Sequence, residues 1–468
     1  MVVLFNLNQT ALNEALECAL ESGADFAELY FEKTRNRAVE STEGRIASIG
    51  DRWIKGVGLY MLRGTDSVYV YSNNITAASL INLAKKAGSL WEIKNGNRKA
   101  MPLKRMAPLQ NPLNYAVPFS SVGYEDKIKL INKAGMVAAE SSEYISNVII
   151  RYFETEQDVM IANTEGLLVD DSRKSTRIRV IPTFSHRGET YGDFFDYTRA
   201  RGFEAYEDDA LEKQIRGTIS DMELILFAPP APGGTFPIVM EGGSTTGTFI
   251  HECCGHQFET TSLEDDGMFW DKRGQKIAGD KVTMIDDGTL PGMYGSASFD
   301  DEGMPTQRNV LIEKGIMKGV LADRLGARKL GVPRSASGRR QNYTFAPVSR
   351  MSNTFLTAGE DDPEDIIKSV DEGLYVKALG GGYGGEDFSI MTNGSWWIKN
   401  GKLDHPVRNA MLLGRGDETI QKIDMVSREM EFEKGGDFCG AGSGFIPVTA
   451  SGPRIRISEM LIGGQGGE

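Results

Sequence analysis

The 468-residue sequence predicts an α+β fold. An N-terminal α+β domain of antiparallel strands and helices leads into a C-terminal β-rich domain, barrel- or sandwich-like, that carries a short histidine-bearing helix. Three observations predict this. Helical and strand periodicities alternate from the start to about residue 222. A Pro/Gly cluster at 227–234 (FAPPAPGG) can continue neither a helix nor a central strand. Beyond it, short apolar runs separated by glycines outnumber helical patterns, which favours a turn-rich β region. A chain of this length also exceeds what one core usually supports, so we divide it into residues 1–222 and 223–468.

In order along the chain, Leu12, Ala15, Leu16, Ala19 and Leu20 recur at helical spacing over 10–21 and the pattern stops at Gly23. Strand-like runs follow at 26–32, 37–49 and 53–62. Arg63-Gly64-Thr65-Asp66 then turns the chain into 68–71, a hairpin signal. A helical period returns at 77–90. The stretch 94–118, with prolines at 102, 108, 112 and 118, reads as a connector. A similar order recurs: helix at 124–143, strands at 145–155, 159–163, 167–170 and 177–185, helix at 207–224. Past the Pro/Gly cluster, strand candidates lie at 236–240, 282–285, 310–312, 375–379, 388–392, 395–399 and 454–460. Helical patterns there are few: after Ser244, at 323–330 and at 364–372.

Composition excludes several functions. The chain carries 52 basic against 65 acidic side chains, a net charge of −13, with no Lys/Arg stripe. Such a chain repels nucleic acid and anionic membrane, which are bound through phosphate neutralisation. No apolar run approaches the roughly 18 residues of a membrane span. The first seven residues, MVVLFNL, lack the basic flank and length of a secretory leader, so a cytoplasmic protein is expected. Four cysteines do not make a disulfide framework, and Cys18 reads as a filler in the first helix.

The chemistry concentrates around two of the four histidines, His251 and His256, in HECCGH (251–256). A strand candidate leads in, Glu241-Gly242-Gly243 turns the chain, and Ser244 or Thr245 is well typed to cap a helix. Zinc peptidases place two histidines four apart on one helix face, with a glutamate after the first. Here the spacing is five. At about 100° per residue the rings would diverge by roughly 140° on a regular helix, so a π-type bulge or a helix end near Gly255 is required. Glu252 follows the first histidine, where a carboxylate can take a proton from the attacking water and later deliver one to the leaving amine. Catalytic zinc normally has three protein ligands, and Cys439, set among glycines in GGDFCGAG, is the candidate third, because its backbone can approach a helix closely.

These residues resemble the TldD/PmbA metallopeptidases, whose active members carry His-Glu-x-x-x-His. HECCGH matches the metal motif. Asp300-Asp301-Glu302-Gly303 and NVLIEKGIMKG (309–319) look like the family's DDEG and IENGxxKG segments, Arg350-Met351-Ser352-Asn353-Thr354 like its RMTNT block, and FCGAGSG (438–444) like its C-terminal cysteine motif. The resemblance implies His251, His256 and Cys439 as ligands of one zinc ion per chain, and Glu252 as the catalytic base. It implies a peptidase that admits unfolded peptides to a channel enclosed by a dimer, either of two copies or with a related subunit. Chain features outside this set read more plainly. Cys253 and Cys254 are packing residues, and His186 and His405 have no catalytic role. GGGYGG (380–385) lacks the lysine of a phosphate loop and is a turn or a channel wall. Asp300–Gly303 is either a structural turn or a polar wall beside the metal, the family favouring the wall. Two other functions use or discard the same ligands: a metal-dependent amidase or deacylase acting on small modified molecules, and a non-catalytic assembly partner. Glu252 argues against the second, since a structural site needs no base.

Overall fold

Two long antiparallel hairpins build the N-terminal sheet. Phe26–Thr42 pairs along its whole length with Arg45–Arg63, and Ile145–Asn163 with Leu167–His186. The structure, a computed structural model, describes residues 7–91, 99–108, 113, 115–263, 267–430, 432 and 435–463. The readings made on residues 1–6 and on much of the 94–118 connector lie outside the described residues. The run 37–49 is not one strand: Glu43 and Gly44 both take positive φ, 49° and 73°, the geometry of a tight hairpin turn. Apolar alternation continues on either side of that turn, so periodicity passes straight through it. Conversely, 145–163 and 167–186 are each one strand where the residue pattern breaks into two. Their polar middles stay paired because facing charges neutralise one another across strands, as in Arg37–Glu156 at 3.2 Å and Lys174–Glu156 at 3.8 Å.

The strand order is Asp66–Ser72, Arg45–Arg63, Phe26–Thr42, Ile145–Asn163, Leu167–His186, Lys104–Arg105. Helices Gln9–Glu21 and Ala77–Gly88 close one core over Leu29, Phe31 and Leu59. Helices Tyr124–Glu140 and Ala210–Phe227 close another over Ile150, Tyr152 and Ile178.

The C-terminal part is strand-rich, as expected. A six-stranded sheet runs Ile316–Met317, Arg308–Glu313, Met284–Asp287, Asn353–Leu356, Gly444–Ser451, Asp437–Ala441. A nine-stranded sheet has Gly234–Met240 between Ile455–Gly463 and Glu372–Val376. Helix Ser244–Cys253 contributes Phe249 and Ile250 to a continuous core shared with Met284 and Leu356 of the first sheet and with Ile238, Ile390 and Ile455 of the second. The helical pattern at 364–372 ends early: Pro363–Lys368 is helical and Glu372–Val376 is a strand. Among the described residues no helix is long and apolar enough to cross a membrane.

Charged side chains tie the N-terminal sheet to the C-terminal part. The loop Asp300–Gly303 is a pinned structural turn. Asp300 accepts from its own loop at Glu302 N and Met304 N, Asp301 holds Arg173 at 2.6 Å, and Glu302 holds Arg334 at 3.1 Å. Arg340 reaches Glu28 at 2.8 Å with both side chains fully buried. Nearby, Asp323 caps helix Arg324–Leu330 through Gly326 N at 3.1 Å.

Burial, and after it the Glu302 carboxylate, push the Asp323 carboxyl up from 3.8 to about 6, against the donors Thr260 and Gly326. The folded state therefore holds this proton more tightly than the unfolded chain. The stability it contributes is complete below pH 3.8 and is lost as pH rises through about 6. Asp323→Asn, which keeps the cap, should raise the unfolding free energy at pH 7.5 by at most about 3 kcal/mol. The gain should shrink by about half at pH 5. Denaturant unfolding giving the same gain at both pH values would contradict this assignment.

Candidate metal centre

Strand Gly234–Met240 delivers the chain to a Gly242-Gly243 turn, where Gly243 takes φ 74°. Helix Ser244–Cys253 begins there without a side-chain cap. Ser244 is its first helical residue and Thr245 instead donates to Lys377 O at 2.7 Å, so neither performs the capping their residue types suggest. The start is held by Thr246, whose N and Oγ1 both reach Glu241 O, at 3.2 and 2.9 Å. The helix lies directly on strand Gly444–Ser451: a Cβ at Gly247 would stand 2.1 Å from Ser451 N.

His251 projects from the last turn of this helix. The helix stops at Cys253, Cys254 takes φ −145° and ψ −20°, and a 3₁₀ turn, Gly255–Phe258, follows. That helix end, not a π bulge, turns His256 back, so that the two rings stand 4.9 Å apart at 82°. The backbone break falls on Cys254. Gly255 is needed for a different reason, close packing: a Cβ there would meet Met351 Sδ at 2.5 Å.

Cys439 comes from strand Asp437–Ala441, whose partner is Gly444–Ser451. Its Sγ lies 3.2 Å from His251 Nε2 and 3.3 Å from His256 Nε2. The three candidate ligand atoms fall within 4.8 Å of one another. A tetrahedral ion with bonds of about 2.0–2.3 Å spaces its ligand atoms by roughly 3.3–3.8 Å, so the donor set fits one small ion. His256 Nδ1 is held by Glu259 Oε2 at 3.1 Å, the carboxylate–imidazole arrangement that orients a ligating histidine. His251 Nδ1, by contrast, is buried and has no partner among the described residues.

Electrostatics favour a cation here. Burial drives the His251 imidazole well below its ordinary range, leaving it neutral, as ligation requires. Burial alone would do the same to His256, yet Glu259 and Cys439 outweigh it and hold its proton up to about 11. The surroundings of His256 thus favour positive charge at this point. Burial also raises the Glu252 carboxyl. Its Oε2 faces the glycine-rich strand: a Cβ at Gly384 would approach it to 2.7 Å, so GGGYGG walls the carboxylate.

Two residues at the site escaped the sequence reading. Arg350, fully buried, donates to Cys439 O at 2.6 Å, to Gly444 O at 3.0 Å and to Ser443 Oγ at 3.1 Å. Glu259 links His256 to Met351 N, at 3.1 Å. The signals were a carboxylate three residues after His256 and an arginine opening the Arg350–Thr354 block. Cys253 and Cys254 are wholly buried in the core, outside the three-residue cluster. His186 packs between Tyr144 and Phe227, and His405 is exposed beside Asp404.

Comparison with known proteins finds three family models in succession: PmbA/TldA metallopeptidase domain 1 over residues 27–90, its central domain over 117–219 and its C-terminal domain over 233–464. A metalloprotease TldD homolog of Buchnera aphidicola is 32% identical over 98% of both chains. One from Haemophilus influenzae is 29% identical over 98% of this chain and 97% of its own. Among solved structures, a putative modulator of a DNA gyrase from Thermotoga maritima superposes with a TM-score of 0.77 at 17% identity, covering 97% of this chain and 99% of that one. TldE from Thermococcus kodakarensis gives 0.72, also at 17% identity, covering 97% and 100%.

The two crowded glycines make a graded test of this packing. A methyl at Gly247 meets rigid backbone, whereas one at Gly255 meets the flexible end of Met351. Gly255→Ala should cost about 1–3 kcal/mol, the usual range for overpacking, and Gly247→Ala clearly more. Chemical denaturation showing the reverse order would refute the described seat of the helix.

Proposed function

The chain belongs to the PmbA/TldD metallopeptidase family, and from that premise we propose that it is a zinc-dependent peptidase with His251, His256 and Cys439 holding the metal and Glu252 as general base. One observation carries the reading: three donors converge beside a half-buried carboxylate that is not spent as a ligand. A structural zinc site would instead close all four positions with ligands. Zinc held by this set would supply Lewis acidity, polarising a peptide carbonyl and acidifying a water.

The chain's own groups do the rest. Glu252, raised by burial, is a stronger base than a solvated carboxylate. It takes the proton of the attacking water and passes it to the leaving amine. The Gly384 backbone limits where that carboxylate can swing. Arg350 and Glu259 hold Cys439 and His256 in place. The substrates are unfolded peptides, admitted to a chamber enclosed by a dimer of two copies or of this chain with a relative. The acidic surface, net −13, speaks against nucleic acid as a partner.

Purified protein should contain close to one zinc per chain and cleave an unfolded peptide until a chelator is added. Glu252→Gln should keep the metal while turnover falls ~100-fold or more. Cys439→Ala should lose both, and Cys253→Ala and Cys254→Ala neither. A Glu252→Gln protein that lost zinc yet stayed active in metal-replete buffer would reverse the assigned roles. For the orienting carboxylate, Glu259→Gln should weaken zinc binding about 10–100-fold in chelator competition. Unchanged affinity would remove Glu259 from the account.

A further inference from the structure

A cavity of about 390 Å³ lies between the N-terminal sheet and the hairpin that carries Cys439. It is separate from the metal cluster. Along a strand successive side chains face opposite ways, so Phe438 enters this cavity while Cys439 turns toward His251 and His256. In a chain of net charge −13, the walls carry five basic side chains, Arg173, Lys174, Arg177, Arg339 and Arg340, against two carboxylates, Glu32 and Asp301.

Four of these cations are already engaged. Arg173 holds Asp301 at 2.6 Å, Arg340 holds Glu28 at 2.8 Å, Arg177 stands 3.7 Å from Asp196 and Lys174 3.8 Å from Glu156. Arg339 differs. Its Nη1 and Nη2 donate only to the backbone, to Met351 O at 2.6 Å and Pro447 O at 2.8 Å. Among the described residues it forms no ion pair. Burial, helped by the neighbouring Arg173 and Arg350, drags its guanidinium down to about 10 against the pull of Asp301 and Asp286. A guanidinium has five N–H donors, so three remain. Phe153, Phe438, Phe445 and Ile446 line the same cavity, Arg177 standing over the rings of Phe153 and Phe438 at 4.7 and 5.2 Å.

A cation without an ion pair, in a cavity that aromatic rings also line, is complementary to an organic acid with an apolar body. We infer that the cavity binds the C-terminal residue of a peptide, its carboxylate on Arg339 and its apolar side chain against Phe438 and Phe445. Guanidinium takes carboxylate through two parallel N–H bonds. The proposed peptidase rests beneath this inference only in naming a peptide as the source of the acid, since every cut it makes releases a new C-terminal carboxylate. The anion site itself needs no turnover.

Calorimetric titration of the full-length protein distinguishes the two. N-acetyl-L-phenylalanine should bind once per chain, equally with and without chelator, and N-acetyl-L-phenylalaninamide about tenfold or more weakly, as expected for the loss of a charge-assisted pair. Phe445→Ala, at a side chain 62% exposed and so tolerant of truncation, and Arg339→Gln should each weaken the acid about tenfold. Glu252→Gln should bind it as the unaltered protein does. Equal binding of acid and amide, or no binding, would overturn the inference. So would loss of binding on chelation, which would place the acid at the metal. Inorganic phosphate binding as tightly as the acid would show a free anion site rather than a peptide subsite.

Discussion

Arg350 carries a guanidinium into a place that solvent does not reach, and the candidate site is arranged around where that charge is satisfied. Three of its hydrogen bonds end on the Cys439 hairpin, at Cys439 O, Ser443 Oγ and Gly444 O. Its Nε lies 3.8 Å from Glu259, the carboxylate that holds His256. A buried charge left without partners is costly. The hairpin and the 3₁₀ turn therefore cannot drift apart without exposing that cost. In this way one interaction fixes residues 183 and 188 positions distant in the chain to within hydrogen-bonding distance of one another.

The surroundings extend the same logic. Helix Ser244–Cys253 can approach strand Gly444–Ser451 only because position 247 lacks a side chain, and that approach brings His251 level with Cys439. The low dielectric that keeps His251 neutral also raises Glu252. Burial thus suits both side chains, by the same means, to the proposed roles of ligand and base. Farther out, the pinned Asp300–Gly303 turn fastens this assembly to the N-terminal sheet through Arg173, while Arg340 reaches Glu28 directly.

What the sequence could reveal depended on how local the physics is. The α+β class, the strand-rich C-terminal part and the helix after Ser244 were legible because they rest on short-range periodicity and on Pro/Gly punctuation. The gathering of His251, His256 and Cys439 was legible from residue type and spacing. The five-residue spacing required a distorted helix, and a helix end is what the chain adopts. The cause was not legible: Gly255 avoids Met351, 96 positions on, rather than supplying a left-handed turn. The turn at Glu43-Gly44 was missed because alternation continues across it. Capping by Ser244 was misread because Thr246 and the Glu241 carbonyl do that work. Arg350 and Glu259 were hidden because their partners lie far along the chain, and no local pattern marks a side chain whose purpose is to hold another.

The central claim is that one ion draws together two imidazoles and one thiolate. X-ray absorption at the zinc edge on the purified protein addresses the ligands themselves, independently of activity. The account predicts a single sulfur scatterer at about 2.3 Å with nitrogen or oxygen at about 2.0–2.2 Å, and loss of the sulfur contribution in any metal that Cys439→Ala retains. A first shell of nitrogen and oxygen alone in the unaltered protein would contradict it.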